Sequence, residues 1–202
     1  MAAAALVVGG IAIIGFDGWH KGGPPRPSAA ANAAQAPVQR PQQAVKALAK
    51  SVPVRIDIPS IGVHARTLSM GADAEGGIAV PSLSQAELTS WYNLGPAPGE
   101  VGPSVIVGHV DTKSGPAVFY RLGELRKGAA INVSRTDGSV VSFAVDSVAE
   151  FPKAQFPADK IFSDLDYPGL RLITCGGAFD SNTGHYLDNT IVFGHMTGSR
   201  RA

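Results

Sequence analysis

The chain has 202 residues, a formal net charge of +1 and a single cysteine, Cys175. The charge balance excludes the basic surface of a nucleic-acid binder. One thiol excludes an intrachain disulfide framework.

Residues 2–16 carry no charge and are small or apolar, and Trp19 follows close behind. A membrane-crossing helix needs ~20 apolar residues. The run approaches that length once Gly18 and Trp19 are included, with Trp19 as an interface anchor. No Lys or Arg precedes it, which favours an anchor over a cleaved signal peptide. Residues 1–19 are therefore predicted to be an N-terminal membrane anchor or signal segment. Residues 20–50 form a Pro/Ala-rich linker whose composition is too poor in large apolar residues to offset chain entropy. The linker is expected to be extended and mobile, with a short helix starting near Val45. This layout is that of a single-pass cell-membrane protein with its catalytic domain outside the cytoplasm, where a lone thiol points to a reactive role.

Residues 51–197 read as one domain, with a short tail at 198–202. From Pro53 onward about 150 residues remain, enough for a proper core. Residues 54–58 alternate apolar and polar with period two, Pro59 interrupts, and 61–63 resume. Further β-rich runs fall at 78–80, 105–110, 130–133, 140–148, 170–174 and 190–193. Short helical turns are predicted at 85–89 and 119–125. Asp137-Gly138 between two β-rich runs is a strong hairpin signal. Many short strands at this spacing predict a mainly-β barrel or sandwich.

Two strand ends carry chemistry. The run Leu170 to Thr174 stops at Cys175, followed by Gly176 and Gly177. The run from Val105 stops at Gly108 and His109, followed by Asp111. A free thiol has a pKa of ≈ 8.5 and needs help to act as thiolate. An imidazole brought beside it supplies that help, or protonates a leaving amine. Asp111 either orients His109 or caps the loop, and the loop role is preferred. His20, His64 and His195 read as surface or structural residues. No Cys/His ligand spacing for a metal appears, and no cofactor is implied.

Leu172-Ile173-Thr174-Cys175 resembles the TLxTC signature of sortases, the cysteine transpeptidases of Gram-positive surfaces. Gly108-His109 resembles their catalytic histidine segment, and Thr183-Gly184 matches as well. The longer forms, from His109 to Phe119 and from Cys175 to Tyr186, are similar to the actinobacterial class F group. The resemblance spans residues 54–193. It implies a closed eight-stranded sortase-type β-barrel with short helices, and an extracytoplasmic membrane enzyme. It further implies cleavage of an LPxTG-like sorting signal between Thr and Gly through a Cys175 thioester. The acyl group then passes to an amine, from a cell-wall precursor or a pilin lysine, or to water. The partners implied are surface proteins bearing that C-terminal signal.

One departure from the family stands out. Many sortases place an arginine on the strand after Thr-Gly, and here that slot holds Asn189; no arginine occurs between Cys175 and Arg200. Arg171 shares a strand face with Cys175 but stands about 13 Å away along it. Arg121 and Arg126 are the other possible donors, each more in keeping with a surface residue. Cys175 and His109 are the predicted catalytic pair, with Asn189 and the backbone near Gly176 as oxyanion or substrate donors. The missing arginine also leaves open a catalytically degenerate, peptide-binding barrel. A third reading is another extracytoplasmic cysteine transpeptidase such as the L,D type, but that group keeps a histidine and a glycine just before its cysteine, where Ile173-Thr174 stands.

Overall fold

The computed structural model describes residues 23–28 and 45–201. The predicted anchor lies outside the described residues. Among those described, no helix is long and apolar enough to cross a membrane.

Ten strands form in chain order: β1 Pro53–Ile58, β2 Val63–Met70, β3 Thr89–Tyr92, β4 Gly102–Gly108, β5 Asp111–Thr112, β6 Gly115–Pro116, β7 Ala130–Arg135, β8 Ser139–Pro152, β9 Pro168–Asp180 and β10 His185–Arg201. Eight of them close a barrel in the order β1-β2-β3-β4-β9-β10-β8-β7, while β5 and β6 form a separate small hairpin. The expected eight-stranded barrel is present. Pro59–Ile61 makes one 3-10 turn between β1 and β2, ended by Gly62 in the left-handed region at φ 70°. Gly138, at φ 77°, turns β7 into β8 where Asp137-Gly138 predicts a hairpin.

The barrel interior is packed with Ile56, Ile58, Val133, Phe143, Leu172 and Val192, among others. A second apolar cluster lies on the outside of β4, β9 and β10, built from Val105, Val107, Ile173, Ile191 and Phe193. Ile78 and Ile161 cover it, the latter from the one short α-helix among the described residues, α1 Ala158–Phe162. Strands buried on both faces lose their alternation and become continuous apolar runs. All seven residues of β4 are buried.

Several elements differ from the sequence reading. β3 was not anticipated; its short polar Thr89-Ser90 step is buried through side-chain hydrogen bonds, Thr89 with Thr67 and Ser90 to the Ala79 carbonyl. Within 78–80, Ile78 makes only an isolated bridge with Ala72. β9 and β10 run well past the predicted strands and pair across the whole hairpin from His195↔Gly169 to His185↔Asp180. Residues 45–50 form no helix. Instead Val45 and Leu48 pack against the core, and the Leu48 amide donates to the Gly99 carbonyl at 2.8 Å.

Residues 23–28 also depart from the expected mobile linker. Pro24 and Pro27 are buried against the barrel. Tyr120 donates its hydroxyl to the Gly23 carbonyl at 3.0 Å, and Arg26 pairs with Glu150 at 2.6 Å. Prolines already hold φ near −65°, so fixing this short segment costs less entropy than its composition suggests.

Candidate active site

β4 and β9 are parallel neighbours, with Val105↔Arg171 and Val107↔Ile173 in register. Side chains alternate along a strand, so Val105, Val107 and then His109 share the outer face. On β9 the same face carries Arg171, Ile173 and Cys175. The pairing ends at Val107↔Ile173, and His109 and Cys175 each lie two residues further on. A specific bond ties these two ends together. The Thr174 hydroxyl donates to the Gly108 carbonyl at 2.8 Å, joining the residues just before the thiol and the imidazole.

The His109 ring is held from its other side. Nε2 lies 2.6 Å from the Pro81 carbonyl. A carbonyl only accepts, so Nε2 carries the proton and donates it. Nδ1 is then the ring atom left for proton exchange. Cys175 is free and half-buried.

Asn189 pairs directly with Cys175 in the β9–β10 ladder, on the same face. It is 1% exposed, and neither its amide oxygen nor its amide nitrogen has a hydrogen-bond partner among the described residues. Leaving such a group unpaired costs ~1–3 kcal/mol. A buried amide without a partner, directly opposite a thiol, fits a group whose partner arrives with a ligand.

The backbone after the thiol is tightly fixed. Gly176 admits no side chain, because a Cβ there would lie 2.3 Å from Thr190 Oγ1. Gly177 sits at φ +75°, and a Cβ there would lie 2.0 Å from Asp188 Oδ2. The Gly177 amide donates to Glu150 Oε1 at 3.2 Å. The Gly177 amide is therefore engaged.

The arginines fall elsewhere. Arg171 is fully buried, donates to the Leu170 carbonyl at 3.0 Å and stacks over Phe193 at 4.8 Å. Burial pushes its guanidinium below the usual range. Arg121 is taken up by Glu124, at 2.6 Å, and Arg126 is exposed. Asp111 accepts from the Tyr186 hydroxyl. Burial and that bond to Asp111 push the Tyr186 phenol well above its ordinary range, so it stays neutral and remains the donor. Among the described residues no group of three or more His, Cys, Asp or Glu could hold a metal.

The structure thus pairs Cys175 with Asn189 on one face and ties the residue before Cys175 to the residue before His109. Sequence reasoning missed the Pro81 carbonyl, the Thr174 clamp and Glu150. Pro81 acts through its backbone, which no motif displays. Thr174 stood in the signature run with no role assigned to it.

No curated protein matches the sequence. The barrel is similar to sortase A from Listeria monocytogenes, with 14% identity, a TM-score of 0.57 and coverage of 75% of this chain and 90% of that one. It is similar to sortase C-1 from Actinomyces oris, at 22% identity and TM-score 0.56, covering 71% of this chain and 72% of that one. Streptococcus pneumoniae sortase C gives 16% identity and TM-score 0.54, with 74% and 70% covered. These likenesses carry the fold. A family model for the sortase domain matches residues 56–197, most of the chain, and the protein belongs to the sortase family.

Proposed function

We propose that this sortase is an extracytoplasmic cysteine transpeptidase of the class F type, held to the cell membrane by its N-terminus. It cleaves an LPxTG-like signal between Thr and Gly. The observation that carries this reading is the pairing of Cys175 with the unpartnered Asn189, beside the Thr174 bond to the carbonyl just before His109.

The Cys175 thiolate attacks the Thr carbonyl carbon and forms a tetrahedral oxyanion. The Asn189 amide NH₂ faces that position as donor. The C–N bond breaks, the electron pair leaves with the amine, and His109 Nδ1–H supplies its proton. A thioester remains on Cys175. An incoming amine attacks it, His109 takes up the amine proton, and the thiolate departs. Water in place of the amine gives hydrolysis.

The test is mass spectrometry of an LPxTG peptide incubated with the full-length protein, with and without a primary amine. The reading predicts cleavage after Thr, and an amide product when amine is present. Binding of the peptide with no product would favour the degenerate barrel that the missing arginine allows.

Thr174→Val tests the clamp within this reading. It removes a buried donor from the Gly108 carbonyl and is expected to destabilise the fold by ~1–3 kcal/mol. It is also expected to lower kcat about tenfold, because the two strand ends lose their alignment. Urea unfolding and steady-state kinetics on one preparation check both effects.

A further inference from the structure

Resting on the transpeptidase reading, we propose that residues 23–28 act as a strap and that Arg26 is a positioning residue for the Cys175–Asn189 hairpin. Arg26 donates Nε and Nη2 to Glu150 Oε2 at 2.8 and 2.6 Å. Its Nη2 also lies 3.7 Å from Asp188 Oδ2. Glu150 belongs to β8 and Asp188 to β10. The other Glu150 oxygen receives the Gly177 amide, two residues after the thiol. Asp188 packs against Gly177 and pairs with Gly176, one step from the Asn189↔Cys175 pair.

One guanidinium therefore bridges two carboxylates that grip the backbone just beyond the nucleophile. Exposed ion pairs are worth little, but the Glu150 side chain is only 5% exposed. Removing Arg26 takes one cation away from both carboxylates. Without Arg26 they are expected to move apart, taking Gly177 and the Asn189 register with them. The charge comes from a segment 124 residues away in sequence from Glu150.

The seat of the strap is built into the barrel. At Gly123 the strap backbone approaches so closely that a Cβ would lie 2.0 Å from the Pro25 carbonyl oxygen. Gly123→Ala thus displaces the strap from the barrel side through the Pro25–Arg26 backbone, without altering the Arg26 side chain or the catalytic strands.

The experiment uses the full-length protein in four forms: Arg26→Ala, Gly123→Ala, the double variant, and Arg26→Lys. Peptide turnover is measured with thermal stability and hydrogen exchange over residues 176–189. Each single alanine variant is expected to lower kcat about tenfold with KM within about twofold. The double variant is expected to fall no further, since both changes undo one contact. Arg26→Lys is expected to recover part of the loss, and exchange is expected to quicken in both alanine variants. A drop in thermal stability with kcat per folded molecule unchanged would make the strap merely structural and overturn the proposal. Multiplying losses in the double variant, or unchanged hydrogen exchange, would overturn it too. If the wild-type protein turns over no peptide, the transpeptidase reading fails by itself, while hydrogen exchange still decides the strap.

Discussion

Cys175→Ala is expected to lower turnover of an LPxTG-type peptide by at least ~10³-fold, about 4 kcal/mol of barrier, while leaving the barrel folded. The thiol is half-buried on the outer face of β9, not in the packed interior, so its loss removes little contact area. Its neighbours on the same face are Ile173 along the strand and Asn189 across it. Neither is a nucleophile, and no other thiol exists in the chain to replace it. Residual activity above about a hundredth of wild type would rule out the thioester route, since that remainder exceeds what binding and oxyanion donors alone supply. Thermal unfolding on the same sample separates loss of chemistry from loss of fold.

Asn189→Ala is expected to be the next most damaging change to activity, and it should leave stability intact or slightly raised. The side chain is buried with both amide atoms unpartnered among the described residues, so in the free enzyme it costs stability. Removing an unsatisfied group recovers that cost, offset by the small void left behind. On the proposed mechanism the same amide faces the developing oxyanion in the acylation transition state. A donor that acts there appears in kcat more than in KM, and losing one typically costs ~10²-fold or more. A turn-capping asparagine behaves in the opposite way, losing ~1 kcal/mol of stability with kcat unchanged. Measuring Tm and kcat together distinguishes the two, and unchanged kcat removes Asn189 from the site.

β4 and the first half of β9 were legible because both are continuous apolar runs that stop at a reactive side chain, and strands buried on two faces leave that mark, whereas β9 itself runs on to Asp180. The Asp137-Gly138 turn was legible because its chemistry is local. β3 was not, because Thr89 and Ser90 are polar and earn burial only through partners on Thr67 and Ala79. The far half of β10 was obscured by Gly194 and Gly198, which punctuate sequence like loop residues. In the barrel, Gly194 lies where a Cβ would come within 2.8 Å of the Ala144 carbonyl oxygen, so the close strand approach requires it. Within the site, Cys175 and His109 could be named from reactive side chains that end apolar runs, and Asn189 only from the slot that the sortase resemblance marks. The groups that hold them could not. The Pro81 carbonyl is backbone, and Glu150 looks like one more charged residue near the end of a strand. Arg26 lies in a segment whose composition argues against packing, and its role depends on a pairing that only the folded barrel creates.

The most direct test of the central claim is intact-protein mass spectrometry after acid quench during turnover of an LPxTG peptide. The account predicts a covalent adduct equal to the peptide through its Thr, located on Cys175 and discharged by added amine. Peptide cleavage with no adduct on Cys175 under conditions where deacylation is rate-limiting, or an adduct on any other residue, would contradict it.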